Sequence, residues 1–335
     1  MSLPFSLIIC TYMRPGALVA LLDSVKKQTL YPNEILIIDG SKNKETKALH
    51  LESKYKFLKY FKVDDAVRGL TKQRNFGIEQ RSKTSEIICF LDDDVILEPN
   101  YFKNLIGTYN AYPEALAVGG YITNEVLWKP RDKKNNKAKF YYDGWMRNEP
   151  LRFRIRRKLG LQPDVPPGYL PTFAHGRSVS FLPPSGKIYQ VEQIMGGVSS
   201  YRVKVFKKLK FSAYFEGYGL YEDTDFSLRI SKLGKLYINT KAKLAHYHDN
   251  SGRPRYFKYG KMVVRNGWYV WRVKYSNPSF KTILKWVSTS LLLTFIRGLN
   301  IISTKQKRQA LFETLGRLYG IFTLVFTKPK PYVDE

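Results

Sequence analysis

Three consecutive aspartates, Asp92–Asp94, directly follow an apolar run that predicts a buried strand from Glu86 to Leu91. Adjacent carboxylates repel one another, and such a cluster is tolerated when a cation lies among them. Hard oxygen ligands with few neighbouring cysteines or histidines favour Mg²⁺ or Mn²⁺ over zinc. The segment therefore predicts a divalent-metal site, and a solvated turn that caps the next helix is the alternative.

A second acidic pair, Glu222 and Asp223, follows a glycine-rich loop and begins a predicted helix that runs from about Thr224 to Leu233. A carboxylate at this position can accept the proton of a substrate hydroxyl if its geometry and pKa allow. Capping of the helix and complementing its dipole is the simpler alternative.

Two histidines and a group of cations could contribute to the same chemistry. His246 and His248 are two positions apart, so in an extended segment their side chains share one face and one of them can complete a metal site. Arg68, Lys72 and Arg74 come near a predicted strand end, where cations can meet a diphosphate. A surface histidine and a solvated helix face are the respective alternatives.

The elements that must position these residues alternate through the first 120 residues. The predicted strands are Ser6–Cys10, Glu34–Asp39, Phe57–Val63 and Glu86–Leu91, and the predicted helices are Pro15–Gln28 and Leu70–Arg81. This alternation predicts an α/β fold with a parallel, doubly wound sheet. Ligands of such sheets bind outside the carboxyl ends of the strands, so the polar residues after the four strands should converge on one crevice.

The formal net charge of +28 is concentrated towards the end of the chain, where residues 226–335 contain 21 Lys and Arg against 4 Asp and Glu. Such a block indicates a polyanionic partner, either nucleic acid or an anionic lipid surface. Cys10 and Cys89 lie in predicted strands, so no disulfide framework is expected. The opening "PFSLIICTY" lacks a basic leader and cleavage site, which favours a cytosolic location.

The joint pattern of "SLIICTYMRP", "EILIIDGS", "RNFGI", "FLDDDVIL", "GGVSSYRVKVF" and "GYGLYEDTDFSLRI" resembles the family 2 glycosyltransferases of GT-A fold over roughly residues 4–250. The later stretch "YFKYGKMVVRNGWYVWRVKY" is similar to the tails of bacterial members that build polysaccharides. The resemblance implies a Rossmann-like, mostly parallel sheet and inverting transfer of a sugar from a nucleotide-sugar, with Mn²⁺ or Mg²⁺ as cofactor.

The resemblance also implies roles for individual residues. Asp223 matches the catalytic base, with Glu222 as the next candidate, and Asp94 matches the metal ligand, with His246 or His248 as a further one. The donor-binding positions are Thr11 and Asp39 for the nucleoside, Arg74 for the diphosphate, Asp92 for the ribose, and Asp93 and Gly197 in the same donor site. The second strand ends with one aspartate where many members have two, so nucleoside and ribose contacts could differ.

The resemblance suggests a division of the chain. Residues 1–250 would form the GT-A catalytic domain, with a nucleotide-sugar-binding half at 1–120, a basic insertion at 121–190 and an acceptor and catalytic half at 191–250. Residues 251–335 would form a basic, aromatic, helical region that associates with membrane.

The apolar window from Ile283 to Ile302 has the length of a spanning helix but contains Lys285 and Arg297 near its ends. Spanning is therefore allowed but not required. Surface attachment fits the basic, amphipathic composition better, so we expect peripheral association with the inner, anionic face of the cell membrane. A soluble helical subdomain and a dimerisation surface are the alternatives, and the oligomeric state is left open.

The expected reaction is transfer of a sugar, with a UDP-sugar as the expected donor, to a hydroxyl of a glycan or lipid-linked acceptor in surface polysaccharide synthesis. A nucleic-acid-binding protein is the first competing hypothesis, because a high pI with interleaved aromatic residues is typical of that class. The acidic cluster in the main crevice would repel phosphates and argues against it, so no nucleic-acid partner is expected. A nucleotidyltransferase acting on a sugar phosphate is the second competing hypothesis, and a non-catalytic module that binds sugar or lipid is the third.

Overall fold

The computed structural model describes residues 3–132, 136–215, 217–248 and 255–331. Its strands are β1 (Phe5–Thr11), β2 (Glu34–Asp39), β3 (Leu58–Lys62), β4 (Ile87–Asp92), β5 (Val95–Leu97), β6 (Ala115–Ile122), β7 (Lys129–Pro130), β8 (Lys139–Tyr142), β9 (Trp145–Asn148), β10 (Ile188–Val191), β11 (Val198–Arg202) and β12 (Lys235–His246). Its α-helices are α1 (Pro15–Lys26), α2 (Leu51–Lys54), α3 (Leu70–Gln80), α4 (Tyr101–Ala111), α5 (Leu151–Lys158), α6 (Glu222–Ser231), α7 (Tyr256–Lys274), α8 (Phe280–Ser303) and α9 (Lys307–Phe326).

The chain divides into two compact units. The first contains the described residues of Met1–Trp128 and Leu182–Gly252, and the second contains those of Lys129–Phe181 and Arg253–Val333. The domain boundaries predicted at residues 120 and 190 stay predictions, and the boundary at residue 250 lies outside the described residues.

The first unit is built on one large sheet with the strand order β10-β12-β6-β11-β4-β1-β2-β3, and β5 pairs with β12. Strands β3, β2, β1 and β4 run parallel, and β11 pairs antiparallel with both β4 and β6. The predicted α/β fold with a parallel, doubly wound arrangement of the early strands is confirmed. The register pairs Thr11 with Asp39 and Cys10 with Asp92, so these strands end side by side.

The sheet is stable because its central strands are buried on both faces. Leu7, Ile9, Ile35 and Ile37 are completely buried and belong to one apolar core cluster that also includes residues of α1 and α4. Full burial of each large aliphatic side chain contributes about 1.5–3 kcal/mol. The strand ends therefore stand on a rigid base, and the polar residues that follow them are held in place.

Helix α3 lies unusually close to the sheet. A Cβ atom added at Gly77 would lie 2.7 Å from Cγ2 of Ile8 and 3.3 Å from Cγ1 of Ile38, so only glycine fits without a shift of the helix. This close approach brings the first turn of α3 to the strand ends. Gln73 there donates from Nε2 to the carbonyl oxygen of Ile38, 2.7 Å away, and Arg74 comes next in the sequence.

The second unit contains the small sheet β7-β9-β8 and the helices α5, α7, α8 and α9. Its core includes Trp268, Trp271 and Trp286, whose ring centroids lie 4.9–5.9 Å apart. Helices α7 and α9 cross at glycines, because a Cβ atom at Gly260 would overlap the carbonyl oxygen of Glu313. Within the part of the chain that the structure describes, one helix, α8, has the length and composition to cross a membrane, with a mean hydropathy of 1.3 in its most apolar window.

Candidate active site

The turn between β4 and β5 presents the three aspartates in different environments. The side chain of Asp92 is 42% exposed, whereas those of Asp93 and Asp94 are 5% and 8% exposed. Asp92 is therefore the carboxylate that solvent and a ligand reach most easily. The other two are held by neighbouring side chains.

Asp93 is held by one residue at the end of β1 and one just after it. The hydroxyl of Thr11 donates to Oδ2 of Asp93 at 2.6 Å, and Nη1 of Arg14 lies 3.1 Å from Oδ1. Burial raises the pKa of Asp93 to about 6, although Thr11 and Arg14 oppose the rise. Arg14 also lies 3.4 Å from Oδ2 of Asp94 and was not among the predicted site residues. Its position directly after the first strand, in "TYMRP", was the signal that could have identified it.

The structure brings His246 to the aspartates through the pairing of β12 with β5, which aligns His246 with Val95. Nε2 of His246 lies 3.2 Å from Oδ1 of Asp94, and Nδ1 lies 2.9 Å from Oε1 of Glu125. Burial lowers the pKa of His246, but the hydrogen bonds to Asp94 and Glu125 outweigh it and raise the pKa to about 10. Both ring nitrogens of His246 therefore face carboxylates.

His248 lies on the outer side of the same cluster. Its Nε2 is 3.1 Å from Oε1 of Glu125, and its side chain is 56% exposed. Glu125, which sequence reasoning missed, therefore contacts both histidines. Glu125 follows β6, which runs parallel to β12, and that long-range pairing brings it to His246.

The donor set suits a hard divalent ion. One ligand atom each from Asp92, Asp94 and His246 lie within 4.8 Å of one another, and a second group of this kind is formed by Glu125, His246 and His248. Two carboxylates and one imidazole, with one carboxylate open to solvent, leave room for water or phosphate oxygens on the same ion. Such a set fits Mn²⁺ well, and Mg²⁺ less well because of the nitrogen ligand.

A buried cation lies next to this group. Arg74 is 2% exposed, forms an ion pair with Glu222, and places Nη2 3.7 Å from Oδ1 of Asp92. Its guanidinium lies 5.5 Å from the ring centroid of Phe90 and 5.3 Å from that of Phe211, which restrict its position. Burial raises the pKa of Glu222 to about 8, and Arg74 opposes that rise.

Glu222 and Asp223 also differ in burial and in their bonding partners. Glu222 is 5% exposed and bound to Arg74, whereas Asp223 is only partly buried. Oδ2 of Asp223 accepts a hydrogen bond from the backbone N–H of Gly196 at 3.2 Å, and Oδ1 accepts one from Thr224 at 2.7 Å. These bonds orient the Asp223 carboxylate at the first turn of α6.

Two glycines that precede β11 allow Asp92 at the end of β4 and Glu222 at the start of α6 to pack closely against the backbone. A Cβ atom at Gly197 would overlap the Asp92 carboxylate, and one at Gly196 would lie 2.6 Å from Oε1 of Glu222. The backbone N–H of Asp92 donates to the carbonyl oxygen of Gly197 at 3.0 Å. The predicted residue Gly197 is therefore in direct contact with the predicted residue Asp92.

Asp39 is completely buried at the end of β2. One of its carboxylate oxygens accepts from the backbone N–H of Ser41 at 2.7 Å, and the other accepts from the hydroxyl of Tyr60 at 2.5 Å and from Nζ of Lys62 at 3.2 Å. Asp39 thus lies beside Thr11 in the sheet but is held within its own network. A ligand that contacts this carboxylate would have to replace one of these partners.

Comparison with known proteins agrees with this geometry. The model of the glycosyl transferase family 2 matches residues 6–174, half of the chain. The chain is 27% identical over 146 residues to a glucosyl-dolichyl phosphate glucuronosyltransferase of Haloferax volcanii, and 32% identical over 116 residues to the O-antigen chain rhamnosyltransferase RfbN of Salmonella typhimurium. These matches cover 41% and 34% of this chain, and only 43% and 36% of the two relatives.

Two solved structures share the fold. Residues 1–349 of S. aureus TarS superpose with a TM-score of 0.51 and 15% identity, covering 97% of this chain and 81% of that one. GalNAc-T7, solved with UDP, GalNAc and Mn²⁺, gives a TM-score of 0.50 and 16% identity, covering 76% of this chain and 45% of that one. The expected GT-A fold is confirmed, and the chain belongs to the glycosyl transferase family 2.

Proposed function

We propose that this protein is a metal-dependent, inverting glycosyltransferase that moves a sugar from a nucleotide-sugar, with a UDP-sugar as the expected donor, to a hydroxyl group of its acceptor. One observation carries the proposal: Asp92, Asp94 and His246 converge at the carboxyl ends of the strands with ligand atoms within 4.8 Å. The buried cation Arg74 and the partly buried Asp223 lie beside this group.

Asp94 and His246, together with Asp92, would hold Mn²⁺ or Mg²⁺, and His248 remains a further candidate. When bound, the ion neutralises negative charge that develops on the diphosphate as it leaves. A GT-A neighbour solved with UDP and Mn²⁺ supports this choice of ion and nucleotide. Arg74 would add a fixed positive charge near the diphosphate, because its burial and its aromatic neighbours hold it in place.

We assign the catalytic base to Asp223. Its carboxylate takes the proton of the acceptor hydroxyl as the hydroxyl oxygen forms a bond to the anomeric carbon. On the opposite face, the bond between the anomeric carbon and the diphosphate oxygen breaks, and the diphosphate leaves with the electron pair. This single displacement inverts the anomeric centre. Glu222 is the weaker candidate, because it is buried and paired with Arg74.

The donor site would be completed by residues at neighbouring strand ends. Asp92 is open to solvent, and because a carboxylate has two oxygens, one could contact the ion while the other accepts a hydrogen bond from a ribose hydroxyl. Gly197, which is in contact with Asp92, would lie near the donor sugar. Thr11 and Asp39 end adjacent strands where the nucleoside would lie. Asp93 would act by fixing Thr11 and Arg14 around this site.

The acceptor would be a glycan or lipid-linked sugar used in surface polysaccharide synthesis. The names of the two relatives, one acting on an O-antigen chain and one on a glucosyl-dolichyl phosphate, support this class of acceptor. The excess of Lys and Arg in residues 226–335 supports a cytoplasmic location at the anionic inner face of the cell membrane.

The donor is tested by measuring nucleoside-diphosphate release from UDP-, GDP- and dTDP-sugars with Mn²⁺, Mg²⁺ or EDTA, and with or without a membrane lipid extract as the acceptor source. Release from one donor that depends on metal and increases with the extract supports the proposal. Glu79→Gln is the control variant, because the Glu79 side chain is 60% exposed and forms its ion pair with the exposed Lys210. Folded protein that releases nothing from any donor would contradict the proposal.

A further inference from the structure

Helix α8 exposes its apolar side and buries its polar side. Its buried residues are Trp286, Thr289, Ser290 and Thr294. Its exposed residues include Leu284, Leu291, Phe295, Leu299 and Ile302, whose side chains are 45–82% exposed. A helix that packs on a water-soluble protein normally has the opposite arrangement.

Helix α9 repeats this inverted arrangement. Its buried residues are Ala310, Glu313, Gly316, Gly320 and Leu324. Five exposed side chains, those of Leu311, Leu315, Leu318, Phe322 and Val325, are 41–72% exposed and lie on one helical face. Helices α8 and α9 are consecutive and pack against each other. The apolar plate is defined as these five residues together with the five exposed residues of α8.

Apart from Trp286 and Leu324, the inner side of the plate is made from small residues and internally paired polar groups. The hydroxyls of Thr289 and Thr294 donate to backbone carbonyl oxygens of their own helix at 2.8 Å. Glu313 accepts from Arg297 at 2.8 Å and from Arg317 at 2.6 Å. Small residues at helix crossings, bonded hydroxyls and paired charges are typical of helices whose outer surface faces lipid.

The arrangement of the second unit distinguishes lying on a membrane from crossing it. With 24 residues, α8 is about 36 Å long and could cross a hydrocarbon core of about 30 Å. The inner side of α9, however, packs on α7, which carries Lys258, Lys261, Arg265 and Arg272. A plate that is apolar on one side and backed by a basic helix suits insertion into one leaflet.

Cations surround the ends of the plate. Lys281, Lys305, Lys307, Arg308, Lys328 and Lys330 are exposed near the ends of α8 and α9. Cations near an anionic membrane surface are attracted to its phosphate groups and strengthen binding. This charge distribution favours anionic phospholipid over a second copy of the chain, which would bring like charges together.

We propose that the apolar plate inserts into the hydrocarbon boundary of an anionic bilayer, to a depth of roughly 5–10 Å, with the cations at its ends bound to lipid phosphates. The binding partner is lipid, and the chain inserts into only one leaflet of the bilayer. This proposal rests on the membrane association proposed above and names the surface that inserts. Its test measures vesicle binding and not sugar transfer, so either proposal can fail without the other.

The test compares binding of the full chain to vesicles of phosphatidylcholine with about one third phosphatidylglycerol and to vesicles of phosphatidylcholine alone. In the variant Phe295→Ser/Phe322→Ser, we expect vesicle affinity to fall by about 10- to 100-fold, because two apolar side chains no longer insert. The matched control, Phe295→Leu/Phe322→Leu, should bind like the wild type. Both side chains are at least 60% exposed, so circular dichroism should show unchanged folding in both variants.

Two further measurements distinguish a spanning helix and a second copy of the chain from one-sided insertion. The full chain is added to vesicles that enclose trypsin, with trypsin inhibitor outside. No cleavage at Lys305 or Lys307 is expected, and cleavage there by the enclosed trypsin would show spanning and overturn the proposal. Sedimentation of the wild type and the serine variant reports self-association. The proposal is also overturned if the serine substitutions leave vesicle binding unchanged, with or without dissociation of an oligomer.

Discussion

Nδ1 of His246 lies 2.9 Å from Oε1 of Glu125, and this contact directs the opposite ring nitrogen, Nε2, towards Asp94. An imidazole that donates its Nδ1 proton to a carboxylate has its Nε2 lone pair available for a metal ion. Glu125 therefore favours the ring orientation and tautomer in which His246 would serve as a ligand of the proposed metal ion. Its own pKa is lowered, chiefly by the hydrogen bond to His246.

Removal of this carboxylate should weaken metal binding. We expect Glu125→Ala to lower Mn²⁺ affinity by about 10- to 100-fold, which is the usual effect of losing the partner of a metal-bound histidine. Glu125→Gln keeps an oxygen acceptor and should recover part of the loss. Titration of free Mn²⁺ by electron paramagnetic resonance checks this. Glu79→Ala, which removes an exposed carboxylate outside the site, is the matched control. An Mn²⁺ affinity in Glu125→Ala equal to that of the wild type would refute the role of Glu125.

Asp223→Asn should separate catalysis from binding. Loss of a general base lowers turnover by about 10²- to 10⁴-fold, whereas the neutral amide keeps the size of the side chain. Donor and metal affinities, measured by calorimetry with UDP and Mn²⁺, should remain close to those of the wild type. Turnover close to that of the wild type, measured as nucleoside-diphosphate release, would exclude Asp223 as the base.

Gly197→Ala should disturb the site through contact alone. The added methyl group would overlap the Asp92 carboxylate and force Asp92 or the start of β11 to move. Mn²⁺ affinity and the rate of sugar transfer should therefore both fall. Gly107→Ala is the control, because a Cβ atom there meets no atom within 4 Å and the position lies inside α4. That control should be more stable by up to about 1 kcal/mol. Normal metal binding by Gly197→Ala would contradict the close packing described.

Stability should decrease in mild acid because of His175 in the second unit. Burial and the nearby Arg156 lower the pKa of His175 to about 4 from an ordinary value of 6.5. Between these pH values the unfolded chain binds the proton more strongly than the folded chain, so the contribution of His175 is present above pH 6.5 and is lost as the pH falls towards 4. From neutral pH to about pH 5 the loss is about 1–2 kcal/mol.

Urea unfolding of the wild type and His175→Gln at several pH values checks this expectation. The free energy of unfolding of the variant should depend less steeply on pH over that interval. Parallel pH profiles for the two proteins would show that His175 does not titrate differently in the folded and unfolded states.

The sequence was sufficient to predict the parallel strands and to group the polar residues at their ends, because apolar runs and helical spacing are local signals. The sequence could not show which of Asp92, Asp93 and Asp94 is exposed, or which of Glu222 and Asp223 is buried. Asp92 differs from Asp93 and Asp94 in exposure only because of the turn between β4 and β5, and Glu222 differs from Asp223 because Arg74 reaches it from another helix.

Two features of the structure depend on contacts between distant parts of the sequence. Glu125 meets His246 through the pairing of β6 with β12, which joins strands more than 100 residues apart in the sequence. In the second unit, the amphipathic composition near the end of the chain indicated an apolar helix face. It could not show that this face points outwards, because composition does not state which side of a helix is covered.

Metal-dependent sugar transfer that requires Asp94 is tested by titrating Mn²⁺ in a nucleoside-diphosphate release assay. The assay compares the wild type, Asp94→Ala and Glu79→Gln, the control at an exposed carboxylate. We expect that EDTA abolishes release, that Mn²⁺ restores it in the wild type and the control, and that Asp94→Ala requires at least about 100-fold more Mn²⁺ or stays inactive. Release that is insensitive to EDTA, or an Asp94→Ala titration that coincides with the wild type, would contradict this expectation.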